Sequence, residues 1–167
     1  MLENKDLHNL IGMSHSIGSD IAYVQGGGGN TSVKLDHTHM AIKASGVSLK
    51  DMKLDQGIAI VDFNKVNSYH DLPALSDDDY TDAINNLALA GSGRPSIETG
   101  FHALLGKYVI HSHSVFLNVL LCSEEGKDIV LSLFPHSVWV DYCTPGKDLT
   151  LAIKEALKDT KNTFEGL

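Results

Sequence analysis

His111 and His113 close a run whose earlier members, Tyr108, Val109 and Ile110, are aromatic or β-branched, a strand composition. On a strand, side chains at i and i+2 share a face. Two imidazoles are therefore presented to one point, and neutral imidazole is the commonest metal ligand. A chain with 9 histidines also produces such pairs by chance, so the pair alone reads either as a metal site or as two partly solvated strand-end residues.

Glu98 stands upstream in the segment from Arg94 to His102. Ser96 or a neighbour can cap a helix here, Pro95 suits its start, and Glu98 falls in the first turn, where a carboxylate complements the helix dipole. Glu98 thus reads as an N-terminal helix acid with His102 at i+4 as its partner. It also reads as a third donor beside His111 and His113, because one short helix and a turn separate it from them. Two nitrogens and a carboxylate suit Zn2+ or another divalent metal.

The elements that must position these groups belong to one domain, 1–167, long enough for a sizeable core. Composition is ordinary, 43% hydrophobic and 20% charged. A net charge of −8 argues against nucleic acid as a main partner. No apolar run reaches the roughly 18 residues of a membrane span, and an N-terminus carrying Glu3 and Asp6 is unlike a secretory leader; a cytoplasmic location is expected. Cys122 and Cys143 form no CxxC and read as free, buried thiols.

Along the chain, residues 2–18 read as a helix on Leu2, Leu7, Leu10, Ile11 and Met13. Gly26 to Gly29 interrupt it. Thr31–Leu35, Met40–Lys43 and Ile58–Phe63 read as short strands, with a turn at Asp55–Gly57. Ser76 to Asp79 form an acidic cap for a helix over Tyr80–Ala90. Further helices are expected over Ile97–Leu105, over Val115–Cys122 as a buried apolar segment, over Glu125–Phe134 and over Lys147–Lys158. Val138–Tyr142 alternates as a strand would. This order predicts an α/β layered domain with a mostly antiparallel or mixed sheet flanked by helices.

The four glycines are followed by Asn30, Thr31 and Ser32. The run lacks the Gly-Lys-Ser/Thr ending of a nucleotide P-loop and precedes strands, where a dinucleotide fingerprint would open a helix. What remains is either a flexible loop or a backbone cradle for a ligand. Ala44-Ser45-Gly46 and Pro95-Ser96 each offer hydroxyls and amides at a turn, a chemistry that suits an anion such as phosphate.

Taken in order, Gly29-Asn30-Thr31-Ser32, Ala44-Ser45-Gly46, Pro95-Ser96-Ile97-Glu98 with His102, and His111-Ser112-His113 resemble the class II aldolase/adducin family over nearly the whole chain. That family includes fuculose- and rhamnulose-phosphate aldolases and ribulose-phosphate 4-epimerase. The resemblance implies that Asn30, Ser45, Gly46 and Ser96 hold a substrate phosphate. It implies that His111 and His113 are two of three zinc ligands, and that Glu98 is the catalytic base and a ligand of the free metal. Glu at this position, where the epimerase has Asp, favours aldol chemistry. The implied activity is that of a zinc-dependent aldolase-type lyase, retro-aldol cleavage passing through a metal-stabilised enediolate of a small sugar or sugar phosphate. A homotetramer with no membrane partner is implied with it.

Two departures modify this expectation. Ile97 stands where phosphate-specific members carry a second serine, so one hydrogen bond to phosphate is missing. The family's third histidine lies in an Asn-His-Gly segment that would begin where this chain ends, at Leu167, so the domain reads as C-terminally short and the metal as underligated. His136 does not match that position. His8, His15, His37, His39 and His70 read as surface residues, and Arg94 reads either as a partner for a substrate anion or as a plain surface arginine. Two other functions stay open: a related epimerase or decarboxylase, and a non-catalytic adducin-like binding module.

Overall fold

The computed structural model describes residues 5–72, 76–89 and 92–159. Four strands, β1 (Asn30–Lys34), β2 (His39–Lys43), β3 (Ile58–Asp62) and β4 (Tyr108–His111), form one sheet in the order β3-β2-β1-β4, and every pairing is antiparallel. Strand alternation divides β1 between two layers. Thr31 and Val33 face α1 (Lys5–Gly18), where the Thr31 and Ser14 hydroxyls meet at 2.7 Å and Leu10 packs with Val33, Ala41, Leu49 and Met52. Asn30 and Ser32 face the opposite layer, towards Glu98 and His102.

That second layer holds α2 (Phe63–Tyr69), α3 (Asp77–Asn85), α4 (Thr99–Leu104) and α7 (Lys147–Ala156). Met40, Val61, Val66, Tyr80, Ile84 and Ala103 form its core. Gly100 brings α4 tight against its neighbours: a Cβ there would run into the Tyr80 hydroxyl and Thr150 Oγ1. α5 (Val115–Leu121) and α6 (Gly126–Leu133) pack against each other after β4.

Hydrogen-bonding side chains set several boundaries. Asp36 Oδ1 accepts from the Thr38 and His39 amides, both at 2.7 Å, and so closes the β1–β2 hairpin. Asp62 accepts from the Asn64 and Lys65 amides, so that β3 passes directly into α2, a helix the sequence pattern did not suggest; Phe63 belongs to it and not to the strand. Ser76 accepts from the Asp79 amide, and its helix runs over Asp77–Asn85, earlier than Tyr80–Ala90; Ala90 lies outside the described residues. Residues 2–4 of the expected first helix lie outside them too.

Other expectations fail for physical reasons. α5 is apolar but not buried: Phe116 is 75% exposed and Val119 69%. Its composition gave no polar face by which burial could be judged. Val138–Tyr142 alternates but pairs with no strand among the described residues and runs as irregular chain. The thiols of Cys122 and Cys143 are free but not buried. His70 is buried, its Nε2 at 3.0 Å from the Tyr80 hydroxyl, and is no surface residue. No helix among the described residues is long and apolar enough to cross a membrane.

Candidate active site

The start of β1 and the end of β4 lie side by side, with Asn30 opposite His111 in register. Antiparallel pairing brings the end of β2, with Lys43, and the start of β3, with Ile58, to the same end of the sheet. The candidate residues gather there.

Glu98 immediately precedes α4, which begins at Thr99, two residues later than the expected start at Ile97, and its side chain makes no capping bond. Its amide donates to Ser96 Oγ at 3.3 Å, and Thr99 bonds back to the Ser96 carbonyl through both its amide and its hydroxyl. This turn turns the carboxylate away from the helix end and towards the sheet. Glu98 Oε2 lies 3.2 Å from His111 Nδ1 and accepts from Asn30 Nδ2 at 3.4 Å. The helix-acid reading of Glu98 therefore fails, and so does its pairing with His102.

Burial raises the Glu98 pKa, but hydrogen bonds from His111 and Asn30 and the charge around it outweigh that, so the net shift is downward. The ionised carboxylate can only accept, which places a proton on His111 Nδ1; in the neutral form of the ring this tautomer keeps its lone pair on Nε2. His113 follows two residues on, past the end of β4, with its amide donating to the Tyr23 carbonyl. The two imidazoles still meet edge to face, with centroids 4.9 Å apart. Burial lowers the His113 pKa and favours its neutral form.

Gly28 and Gly29, the second half of the glycine run, are packed against this pair. The place of a Gly28 Cβ lies 2.8 Å from His113 Nδ1, and that of a Gly29 Cβ, at φ 72°, lies 3.0 Å from the His111 carbonyl. Gly28 and Gly29 form a seat for the histidines, while Gly26 and Gly27 have open space where a side chain would stand.

Behind them His102 meets Ser32, a contact that the sequence does not indicate. His102 is fully buried, its Nδ1 at 2.8 Å from Ser32 Oγ, and it stacks on Phe101, which meets the His111 ring edge-on. Burial pushes the His102 imidazole down to about 3, so it is neutral. Lys43 stands at the same end of the sheet. It is buried, donates to the Val47 carbonyl at 2.9 Å, and feels the Glu98 charge; burial lowers its pKa. A lysine in the otherwise apolar stretch Met40–Ala44 was the available signal.

Ser45 and Ser96 are tied to the segment that leads into Glu98, and Gly46 follows Ser45 in its turn. The Ser45 amide donates to the Arg94 carbonyl, Arg94 Nη2 donates to Ser45 Oγ, and Ser96 holds the Glu98 amide. His136 lines a separate apolar cavity of about 520 Å³ with Phe134 and Trp139, in which neither His111 nor His113 takes part. His39 is bound to Asp36.

Among the described residues, no three His, Cys, Asp or Glu side chains stand as a ready cage for an ion. The donor chemistry nevertheless fits a divalent ion in part. Two neighbouring imidazoles, one with its Nδ1–H given to a carboxylate, is the arrangement in which Nε2 is free to bind metal.

A four-stranded antiparallel sheet with helices on both faces, carrying a carboxylate and a histidine pair at one end, defines an α/β domain with a site suited to acid–base work. The family model of the class II aldolase and adducin N-terminal domain matches residues 9–164, and the chain belongs to that family. It is similar to an uncharacterized oxidoreductase, YuxG, of Bacillus subtilis, at 31% identity over 92% of this chain and 24% of that protein. It is also similar to methylthioribulose-1-phosphate dehydratase of Pectobacterium atrosepticum, at 32% identity over 78% of this chain and 56% of that enzyme. The chain thus spans between a quarter and somewhat over half of these relatives. Among solved structures, the N-terminal class II aldolase domain of a conserved Thermoplasma acidophilum protein superposes with a TM-score of 0.82 at 27% identity, over 96% of this chain and 78% of that one.

Proposed function

We propose that this chain carries aldolase-type lyase chemistry on a small sugar or sugar phosphate, with Glu98 as the base. The supporting observation is the aim of Glu98: a largely buried carboxylate that ignores the helix end beside it and is held by His111 and Asn30. Asn30 and His111 hold it ionised and fix its direction, so that in condensation it takes a proton from the carbon beside the substrate carbonyl and in cleavage returns that proton to the same carbon. His111 and His113 would hold a divalent ion such as zinc, which supplies polarisation of that carbonyl when bound. Ser45, Gly46, Ser96 and Asn30 would hold the substrate's anionic group through hydroxyls, amides and an amide side chain. The exposed apolar surface of α5 and α6, with Phe116, Val119 and Leu133, is where a homo-oligomer would bury area.

The test is aldehyde release from a panel of ketose phosphates by the zinc-supplemented chain. Glu98→Gln should lower the rate by roughly 10²- to 10⁴-fold with an unchanged circular dichroism spectrum. Equal rates in both proteins would remove Glu98 from the chemistry.

Likeness to methylthioribulose-1-phosphate dehydratase favours a second reading, water elimination from a ketose phosphate. It begins with removal by Glu98 of a proton from the carbon beside the carbonyl, the step that condensation also requires, and the hydroxyl on the next carbon leaves as water. The product then separates the two, since elimination leaves the carbon chain whole and releases no aldehyde fragment.

A further inference from the structure

We propose that Arg94 reads the charge of the substrate's anionic group, an inference that rests on taking the Ser45–Gly46 turn as an anion seat. The turn is zipped to the segment carrying the arginine. The Ser45 amide donates to the Arg94 carbonyl at 2.9 Å, and a Cβ on Gly93 would stand 2.6 Å from Ala44 Cβ. This close backbone contact fixes where the arginine side chain begins. The guanidinium then folds back onto the same turn, Nη2 donating to Ser45 Oγ at 2.9 Å.

A guanidinium has five N–H donors in a rigid fork. Among the described residues no carboxylate forms an ion pair with this one. Ser45 Oγ accepts from Arg94 and Ser96 Oγ accepts from the Glu98 amide, so both hydroxyl hydrogens point elsewhere. Gly46, at φ 82°, is exposed and has open space where a Cβ would stand. The exposed side of this turn therefore offers donors and a positive charge. An oxyanion fits it, a phosphate ester or a carboxylate, since the guanidinium fork matches both. Ile97, 46% exposed, brings no polar atom to the same stretch. The arginine fork takes over the hydrogen bonding a hydroxyl there would provide, and makes recognition depend on charge.

Titration of the ¹⁵N-labelled chain with inorganic phosphate, and separately with glycolate, reads this directly at the Ser45 and Gly46 amides. We expect saturable shifts with at least one anion. Arg94→Met should weaken that binding by roughly tenfold or more and leave resonances elsewhere in place. Arg94→Lys, which keeps the charge without the fork, should fall between. Adding Ile97→Ser to Arg94→Met should restore part of the phosphate affinity. Response to phosphate alone assigns a phosphate ester and response to glycolate alone a carboxylate; both keep Arg94 in its role if Arg94→Met weakens them. Unchanged binding in Arg94→Met would overturn the role of the arginine and leave the seat standing. No saturable shift with either anion in the parent chain would overturn the seat and the arginine together.

Discussion

Gly28 has no side chain where the His113 ring needs room. A methyl group there would stand 2.8 Å from His113 Nδ1 and 3.1 Å from the Gln25 carbonyl. The imidazole can swing aside and the carbonyl can give a little, so Gly28→Ala should leave the fold standing and move the ring. The expected outcome is weaker zinc binding, measured by competition with a chromophoric chelator, with a thermal midpoint within a few degrees of the parent. Zinc affinity equal to the parent's would mean that His113 takes no part in holding the ion. His111 was legible in the sequence because Tyr108 to Ile110 announce the strand; His113 lies past the end of that strand, and what holds it beside His111 is its amide's bond to the Tyr23 carbonyl, which period two does not foresee. The role of Gly28 was not legible, because a glycine run carries no trace of what fills the space beside it. Glu98 was legible only as two alternatives; what separates them is the direction of its side chain, set by the Ser96–Thr99 turn.

At the scale of elements, the close approach of α4 to α3 and α7 is what holds Glu98 and His102 against the sheet. Gly100 permits it, because Tyr80 and Thr150 occupy the space a Cβ would take. Gly100→Ala should therefore destabilise the domain by about 1–3 kcal/mol, the usual cost of overpacking, read as a lower urea midpoint. A variant as stable as the parent would show that the helices part there without loss. Strands β1 to β3 were readable to within a residue because their turns carry Asp36 and Gly57 in fitting places. Helices were harder. In α5 every residue from Val115 to Leu117 and from Val119 to Leu121 is apolar, and composition of that kind does not say which face is covered. Val138–Tyr142 shows the converse: alternation proposes a strand, and only a partner makes one.

For the molecule as a whole, two buried histidines set its response to acid. Burial pushes His70 down to about 4, helped by the charge of Lys154, and His102 to about 3, both from an ordinary 6.5. Between those values the unfolded chain binds protons that the folded chain refuses. Stability should therefore be full above about pH 6.5 and fall steadily as the pH drops towards 4. His70 alone would contribute on the order of 3 kcal/mol to that fall. Urea unfolding at pH 7.0 and 4.5 checks it, and His70→Gln should flatten the dependence. A midpoint that did not move with pH would show that water reaches these rings in the folded state.

The pairing of Asn30 with His111 has one more consequence, in time. It joins segments about eighty residues apart, whereas the β1–β2 hairpin and the β3–α2 junction are local. Long-range closure of this kind is slow relative to hairpin formation. Asn30 thus reaches Glu98 and the histidine pair only when the chain has nearly finished folding, and a divalent ion finds no completed site before then. Refolding rates should be the same with zinc and with a chelator, and activity should return in step with the last spectroscopic phase.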